Sequence, residues 1–350
     1  MGVKMSDLDL ELIKFLHNNT GGFISGEEIS NRLGVSRTTI WKHIKKLRGK
    51  GYIIESGTSK GYLLSKVPNR IIPEEIMISL NTKEIGKEIL VFDSLSSTND
   101  KAKELARNGC RTGTVVIAEE QTAGKGRLGR KWYSPAGSGL CLSIILLEPQ
   151  IQPIKSPFLT ITASIAVLKA LTKIEKGLVT TDKPANNIEK IELGAKSSLK
   201  IKWPNDILIS GKKVSGILSE MSADMDYIKY AVIGIGINVN QEFFPEEIEG
   251  IATSLKVEYQ QAITRNKLLE NVLESFEEYY NLLLIGREKE LLELWKDNLA
   301  IIGEEVTIYS NDKVYYGRVQ DISEQGELIL LDDTKTIHKF WAGDVTLRKR

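Results

Sequence analysis

The chain has 350 residues, of which 41% are hydrophobic and 27% are charged, and its formal net charge is +1. This composition is typical of a folded globular protein and excludes a disordered chain, which combines low hydrophobicity with high net charge. The length exceeds what one hydrophobic core usually supports, so we expect two or three domains. Two cysteines and three histidines are too few for a disulfide framework or a structural zinc site, and no metal-ligating residues are predicted.

The sequence predicts neither a membrane span nor a secreted protein. No apolar run approaches the roughly twenty residues that a span needs. Asp7, Asp9 and Glu11 interrupt the N-terminal apolar residues where a signal peptide would have its core. We therefore expect a cytoplasmic chain, with reduced cysteines and no membrane partner.

Three short helices are predicted near the N-terminus. Apolar residues at helical spacing predict the first helix, over residues 8–19. Ser25 and Ser36 are positioned to cap the second and third helices, and Gly34 separates these two. The third helix has a buried stripe at Ile40, Ile44 and Leu47. Two short helices joined by a glycine turn are typical of a helix-turn-helix.

A β-hairpin is predicted after these helices, from the apolar runs 52–54 and 62–64. It would complete a winged helix-turn-helix domain over residues 1–66. The segment between the runs, Gly57–Gly61, matches the G-x-S-x-G pattern of serine hydrolases. Because it lies between two strand-like runs rather than on a strand-to-helix turn, we interpret it as the tip of the wing.

The charge of this domain indicates a nucleic-acid partner. Residues 1–66 hold about five more cationic than acidic residues, concentrated around the third helix. The face opposite its buried stripe carries Arg37, Thr38, Trp41, Lys42, Lys45 and Lys46. We predict that the DNA contacts come from Ser36, Arg37, Thr38, Thr39, Lys42 and Lys45. The alternative is a solvated basic helix in a protein-interaction module.

A mixed α/β domain is predicted over residues 74–300, after a proline-bounded linker at 67–73. Its neighbouring strands are expected to be mostly antiparallel. The predicted strands are 114–118, 140–147, 200–203, 207–209, 213–220 and 230–237, and the predicted helices are 98–108, 158–173, 266–284 and 287–298. The polar segment 175–198 is predicted to be a surface insertion. Residues 301–350 alternate short β-rich runs with turns, which predicts a small SH3-like β-barrel. The fold class is therefore α/β and multidomain.

A glycine-rich loop, Gly124–Trp132, carries the most chemical information in the chain. It satisfies the G-x-G-x-x-G pattern of dinucleotide-binding folds, but that motif requires a helix directly after it. Here the segment 133–139 follows, rich in glycine, serine and proline, and then a strand, so we reject the dinucleotide fold. The P-loop pattern fails as well, because Gly129 is followed by Arg and Lys rather than by Lys and Ser or Thr.

The loop contains four cations and ends in an aromatic residue, in the order Lys125, Arg127, Arg130, Lys131 and Trp132. These cations repel one another unless an anion joins them, and the glycines permit close backbone approach. We therefore predict a loop that orders over a polyphosphate or an acyl phosphate, with the indole free to stack on a base. The alternative is an ordinary basic surface loop.

Five segments together resemble motifs of the biotin–protein ligase family, in the family's order. They are Ser97-Thr98-Asn99, Gln121 with Gly124–Trp132, Lys202–Asp206, Gly216–Leu218 and Gly234–Asn238. With the helix-turn-helix and the small β domain, the whole chain resembles the bifunctional members of that family, which ligate biotin and repress the biotin operon. Two departures stand out: Lys125 occupies a position where many members have arginine, and segment 175–198 lengthens the approach to Lys202.

The resemblance implies that residues 74–300 form a catalytic domain that uses ATP and Mg²⁺. Biotin would form biotinyl-5′-AMP, which then acylates one lysine of a biotin carboxyl carrier protein. Lys202 and Arg127 are implied as catalytic residues. The implied biotin contacts are Ser97, Thr98, Asn99, Gln121, Lys125, Gly126, Arg127, Lys202 and Gly216. The implied ATP and adenylate contacts are Arg127, Arg130, Trp132, Asn205 and Asn238. The adenylate is further implied to promote a homodimer that binds operator DNA.

Two other functions stay open at this point. A lipoate or octanoate ligase uses a related catalytic fold on a similar carrier, but its pocket must accept an apolar chain rather than a polar ureido ring. A purely ligand-sensing repressor would bind the ligand without turnover. Ligand titration distinguishes the first alternative, and pyrophosphate release distinguishes the second.

Overall fold

The computed structural model describes residues 7–19, 22–57, 60–179, 198–310, 313–341 and 343–347. It divides into two compact units, Met1–Ser79 and Leu80–Arg350. The finer boundaries predicted at residues 66, 73 and 300 stay predictions.

The first unit contains short helices and one β-hairpin. In chain order its elements are α1 (Asp7–Asn18), α2 (Gly26–Leu33), α3 (Arg37–Gly49), β1 (Ile53–Gly57), β2 (Gly61–Lys66) and α4 (Pro73–Ser79). The two strands pair antiparallel, as the wing requires. The predicted tip of the wing lies partly outside the described residues, since 58 and 59 are not described. The winged helix-turn-helix prediction is confirmed.

The helix boundaries follow from local chemistry. The Ser25 hydroxyl accepts the Glu28 N–H at 3.0 Å and opens α2. Gly34 ends α2 with φ of +65°, a conformation that favours glycine. The Ser36 hydroxyl accepts the Thr39 N–H at 3.1 Å and opens α3. These caps fix where α2 begins and ends and where α3 begins.

A buried carboxylate joins α1 to α3. Asp9 is fully buried, and its two oxygens lie 2.6 Å from His43 Nδ1 and 2.6 Å from Lys46 Nζ. The prediction that Lys46 belongs to the exposed face of α3 therefore needs correction. Its ammonium turns toward Asp9, since a buried carboxylate without a cationic or hydrogen-bonding partner would be costly. Ile71, inside the segment predicted as a linker, is also buried in this unit.

The second unit is built on a mixed sheet with helices. In chain order the elements up to the last helix are β3 (Ile89–Leu95), α5 (Thr98–Arg107), β4 (Val115–Gln121), β5 (Leu140–Leu147), α6 (Pro157–Val179), β6 (Leu199–Lys202), β7 (Asp206–Ile209), β8 (Lys212–Ala223), β9 (Ile228–Ile237), α7 (Glu246–Glu249), α8 (Leu255–Tyr259), α9 (Arg265–Leu284) and α10 (Glu288–Lys296). Within the described part of this unit, seven strands form one sheet in the order β3-β4-β5-β9-β8-β7-β6. β3 and β4 are parallel, and the other neighbours are antiparallel, as predicted.

Helix α6 is longer than the predicted helix, which ended at residue 173. It runs to Val179, so the predicted insertion begins in a helix, and residues 180–197 lie outside the described residues. In the described part of the chain, one stretch, Pro153–Leu178, has the length and apolar composition of a membrane span, with 72% of its most apolar window buried. Because most of this window is buried, it is a core helix of the second unit rather than a membrane span, and the prediction of no membrane span stands. The helix is apolar on most sides because it packs on the sheet and on α9.

A second, smaller sheet follows α10. Its strands are β10 (Glu305–Ser310), β11 (Lys313–Ile322), β12 (Leu328–Asp332), β13 (Ile337–Phe340) and β14 (Asp344–Leu347). Among the described residues they form one antiparallel sheet in the order β13-β12-β11-β10-β14. The small C-terminal β domain predicted from the alternation of β-rich runs and turns is present.

Candidate functional site

One cavity of about 740 Å³ in the second unit gathers every predicted biotin and nucleotide contact. These thirteen residues come from five separate stretches of the chain. They are Ser97, Thr98, Asn99, Gln121, Lys125, Gly126, Arg127, Arg130, Trp132, Lys202, Asn205, Gly216 and Asn238. Ile301 and Val345, near and within the small sheet, also line the cavity.

The floor of the cavity is backbone, because three glycines lie on one face of the sheet. Gly234 and Gly236 are two residues apart in β9 and therefore lie on the same face of the sheet. Gly216 of β8 is the register partner of Gly236 and lies on that face too. A Cβ on Gly236 would lie 2.5 Å from Cε2 of Trp132. A Cβ on Gly234 would lie 2.8 Å from Cγ of Asn99 and closer still to its Oδ1. Glycine at these positions therefore makes room for the indole and for the amide.

Buried hydrogen bonds fix the polar end of the cavity at the start of α5. The Thr98 N–H donates to Gln121 Oε1 at 2.8 Å. Ser143 Oγ lies 2.8 Å from Thr98 Oγ1 and 2.6 Å from Asn99 Oδ1. Asn99 Nδ2 donates to the Leu218 carbonyl at 3.1 Å. These groups hold one another in place, so this end of the cavity is preorganised.

Sequence reasoning missed Ser143, which is fully buried and bridges Thr98 and Asn99. A signal was available, because Ser143 is the one hydroxyl in the otherwise apolar run Leu140–Leu147. A buried hydroxyl in such a run needs a hydrogen-bond partner, and this points to a polar network behind the strand.

The glycine-rich loop forms a small closed turn between β4 and β5. The Gly126 N–H donates to the Arg130 carbonyl at 2.7 Å, and the Trp132 N–H donates to the Gly124 carbonyl at 2.9 Å. Leu128, at the tip, has φ of +55° and is 74% exposed. β4 and β5 pair antiparallel, and the segment between them contains a single 3-10 turn, Arg127–Gly129, and no α-helix, which confirms that this is not a dinucleotide-binding motif.

The cations that line the cavity differ in how they are neutralised. Lys125 pairs with Asp100 at 2.6 Å, and Lys213 pairs with Asp206 at 2.7 Å. Within the part of the chain that the structure describes, the Lys202 ammonium has no hydrogen-bond or ion-pair partner. A lysine that lines a cavity without a counter-ion is ready to receive an anionic ligand.

Two side chains of the loop, Arg127 and Trp132, contact different parts of the cavity wall. Arg127 donates to Asn205 Oδ1 at 3.0 Å. The indole of Trp132 lies on the glycine floor, and the Lys213 ammonium is 5.5 Å from the ring centroid. The stacking of this indole on a base stays a prediction.

Two predicted nucleotide contacts already use their amides within the protein. Asn205 Nδ2 donates to the Ile217 carbonyl at 2.7 Å. Asn238 Nδ2 donates to the Thr253 carbonyl at 3.0 Å, and its Oδ1 accepts from Gln241 at 3.3 Å. Both side chains shape the cavity wall. Their contact with a nucleotide stays a prediction.

Three family models match segments of this chain. The Biotin/lipoate A/B protein ligase family matches residues 91–238, an HTH domain matches residues 9–63, and the Biotin protein ligase C terminal domain matches residues 301–348. The three matches follow the architecture described above.

Relatives match along the whole chain. Bifunctional ligase/repressor BirA of Bacillus subtilis (strain 168) is 38% identical over 344 residues, 98% of this chain and 99% of the relative. The protein of the same name from Escherichia coli (strain K12) is 30% identical over 99% of both chains. This chain belongs to the bifunctional ligase/repressor family. Biotin protein ligase from Aquifex aeolicus, in complex with biotin and ATP, superposes with a TM-score of 0.60 at 29% identity, over 75% of this chain and 100% of that one.

Most of the predicted DNA contacts are exposed in the first unit. Along α3 the predicted contacts Arg37, Thr38, Lys42 and Lys45 are exposed. Trp41 beside them is 52% exposed, with the Lys45 ammonium 5.6 Å from its ring centroid. The remaining two predicted contacts, Ser36 and Thr39, bond each other at 2.9 Å through their hydroxyls. Which of these six residues contact DNA stays a prediction.

Proposed function

We propose that this chain is an ATP-dependent biotin–protein ligase that also represses biotin genes by binding operator DNA. The ligase forms biotinyl-5′-AMP and transfers biotin to a lysine of the biotin carboxyl carrier protein of acetyl-CoA carboxylase. One observation carries the proposal. The unpartnered Lys202, the basic loop and the preorganised polar end at α5 all line the same cavity. Family membership makes the same activity the expected one.

The proposed chemistry explains why a lone cation lies at this position. A carboxylate is a poor acyl donor, and transfer of AMP to it installs a good leaving group. The biotin carboxylate attacks the α-phosphorus of ATP, a bond to the carboxylate oxygen forms, and pyrophosphate leaves. Lys202 lies between the two anionic groups and neutralises the negative charge that they bring together in the transition state. Arg127 and Arg130 hold phosphate oxygens from the loop side.

The polar end of the cavity favours biotin over lipoate. Ser97, Thr98, Asn99 and Gln121 offer hydroxyl and amide groups where the ligand's ring system would lie. A ureido ring carries paired donors and a carbonyl acceptor, and it satisfies such groups when they are buried. An apolar chain would leave unpaired those donors and acceptors that the internal hydrogen bonds do not already satisfy, which costs about 1–3 kcal/mol for each group.

Mg²⁺ enters this proposal with ATP rather than as a resident ion. Asp206 is the carboxylate lining the described cavity, and it is already paired with Lys213. The described residues contain no cluster of three or more His, Cys, Asp or Glu side chains that could hold a metal ion. Mg²⁺ would therefore be bound mainly by the triphosphate oxygens.

The repressor half of the proposal rests on the first unit. Two copies of the winged helix would bind a two-fold operator, with the exposed cations of α3 on phosphate and base edges. We propose that the bound adenylate promotes the homodimer, because a ligand that binds the dimer-competent state better shifts monomers toward it. Sedimentation with and without biotin plus MgATP tests this, and equal dimer fractions would contradict it. Both activities place the chain in the cytoplasm, where ATP, the carrier and the genome are present.

Titration calorimetry and a pyrophosphate assay together test the ligase. We expect heat from biotin but not from lipoate at the same concentration, and pyrophosphate release when biotin and MgATP are mixed with the protein. Preference for lipoate would make the chain a lipoate ligase. Tight biotin binding without pyrophosphate release would leave a ligand-sensing repressor without turnover.

A further inference from the structure

A continuous chain of polar contacts joins the polar end of the cavity to the glycine-rich loop. Asn99 Nδ2 donates to Glu220 Oε2 at 2.8 Å, and Glu220 Oε1 accepts from Lys103 at 2.7 Å. Lys103 also lies 3.1 Å from Asp100 Oδ1, and Lys125 of the loop lies 2.6 Å from Asp100 Oδ2. The start of α5, strand β8 and the loop are thus connected side chain to side chain.

Asp100 is the link of this chain that reaches the loop. It lies in the first turn of α5, directly after Asn99, and does not itself line the cavity. Partial burial on its own would raise the pKa of the Asp100 carboxyl. The hydrogen bonds and charges of Lys125 and Lys103 outweigh burial and hold that pKa below its ordinary value. The carboxylate is therefore ionised at neutral pH.

Lys103 holds Asp100 in place from the helix side. Burial would lower the pKa of the Lys103 ammonium, but hydrogen bonds to Glu220 and Asp100 raise it above its ordinary value. Lys103 therefore stays charged and bridges the two carboxylates. Because Glu220 in turn holds the amide of Asn99, the position of Asp100 is tied to the polar end of the cavity.

We propose that Asp100 is a positioning residue that anchors the glycine-rich loop to the start of α5 through Lys125. The loop carries four cations, and Asp100 supplies the anion for the first of them before any phosphate is bound. This inference rests on the ligase function proposed above. In that ligase, the Asp100–Lys125 pair keeps the loop over biotinyl-5′-AMP. Loss of the anchor would open the loop and let biotinyl-5′-AMP escape to solvent.

Trypsin digestion of the ligand-free protein tests the anchor without any assay of activity. The loop offers four cleavage sites, at Lys125, Arg127, Arg130 and Lys131. An exposed ion pair of this kind contributes modestly, so we expect Asp100→Asn to be cut in the loop about 2- to 5-fold faster than the unmodified chain. Asp100→Glu should restore much of the protection. Cleavage sites are assigned by mass spectrometry.

Two further variants separate the anchor from a general effect on α5. Glu104→Gln removes a carboxylate of the same helix that pairs with Lys101 and has no contact with the loop, so its loop should be cut at the normal rate. Lys125→Met breaks the pair from the loop side and leaves the helix unchanged. It should reproduce the faster cleavage at Arg127 and Arg130. Equal cleavage rates for Asp100→Asn, Lys125→Met and the unmodified chain would overturn the anchor.

The enzymatic consequence is measured separately. With biotin and MgATP, Asp100→Asn should biotinylate the lysines of a bystander protein more than the unmodified chain does, at a similar rate of pyrophosphate release. If the loop is cut faster but stray biotinylation does not increase, Asp100 does not help to retain biotinyl-5′-AMP, and that part of the proposal is overturned. If the unmodified chain releases no pyrophosphate, the proposed ligase fails, while the cleavage rates still decide the anchor.

Discussion

Gly234→Ala tests whether the glycine floor sets the position of the Asn99 amide, which we propose binds the ureido ring. The added Cβ would lie 2.8 Å from Cγ and 2.9 Å from Nδ2 of Asn99, closer than real Cβ atoms approach. Asn99 cannot move freely, because Ser143, the Leu218 carbonyl and Glu220 all hold its amide. Either the amide or the strand must therefore shift.

The expected magnitude follows from these contacts. Overpacking of this kind costs about 1–3 kcal/mol of folding free energy. Both Nδ2 hydrogens of Asn99 are already used within the protein, so a displaced amide loses one hydrogen bond from the ligand to Oδ1. At about 1 kcal/mol, this loss weakens biotin binding about 5-fold. Titration calorimetry measures the affinity, and thermal unfolding measures the stability.

Gly177→Ala is the matched control for this experiment. Gly177 lies in α6, and a Cβ there would meet nothing within 4 Å. We expect unchanged biotin affinity and a small gain in stability, about 0.5–1 kcal/mol, since alanine is the better helix former. If Gly234→Ala binds biotin as tightly as Gly177→Ala does, the amide of Asn99 does not contact the ligand and the reasoning is refuted.

The remaining predictions concern the cations and the thiols. Lys202→Ala should slow adenylate formation about 100- to 1000-fold and change biotin affinity much less, because the charge interacts mainly with the transition state. Arg127→Ala should weaken ligand binding and release biotinyl-5′-AMP, which stray biotinylation detects. Lys42→Ala should weaken operator binding and reduce the salt slope by about one, measured by titration at several salt concentrations. Burial raises the pKa of the Cys110 and Cys141 thiols, so fewer thiolates exist at neutral pH and alkylation should be slow until denaturant is added.

Each of these predictions has a control or a contradicting outcome. Lys200→Ala removes the other lysine of β6, which does not line the cavity, and should turn over normally. Normal turnover of Lys202→Ala would remove Lys202 from the chemistry. An Arg127→Ala variant that neither binds more weakly nor leaks would show that the loop is not a clamp. An unchanged salt slope would exclude Lys42 from the phosphate contacts, and rapid alkylation of the folded chain would contradict the burial of the thiols.

Much of the first unit was predictable because its signals are local. Ser25, Gly34 and Ser36 fix the helix ends through bonds to residues three or four positions away, and the apolar stripe of α3 follows from helical spacing. The pairing of Asp9 with Lys46 was not predictable, since it joins residues far apart in the sequence. Sequence spacing alone placed Lys46 on the exposed face.

The second unit divides in the same way. The strand Leu140–Leu147 was predicted at its observed bounds, because it is a buried apolar run flanked by turns. The loop was found from its glycines and cations. The glycine floor could not be predicted without the strand register, which sets Gly216 opposite Gly236. The pairing of Asp206 with Lys213 could not be predicted either, because it depends on the register between β7 and β8.

One measurement tests the central claim most directly. The protein is mixed with biotin and MgATP, and then with a purified biotin carboxyl carrier domain, while pyrophosphate and biotin attachment are followed together. We expect that pyrophosphate is released only when biotin is present and that biotinyl-5′-AMP forms as an intermediate. We also expect that one biotin becomes attached to one lysine of the carrier. Absence of pyrophosphate, or release that lipoate supports better than biotin, would contradict it.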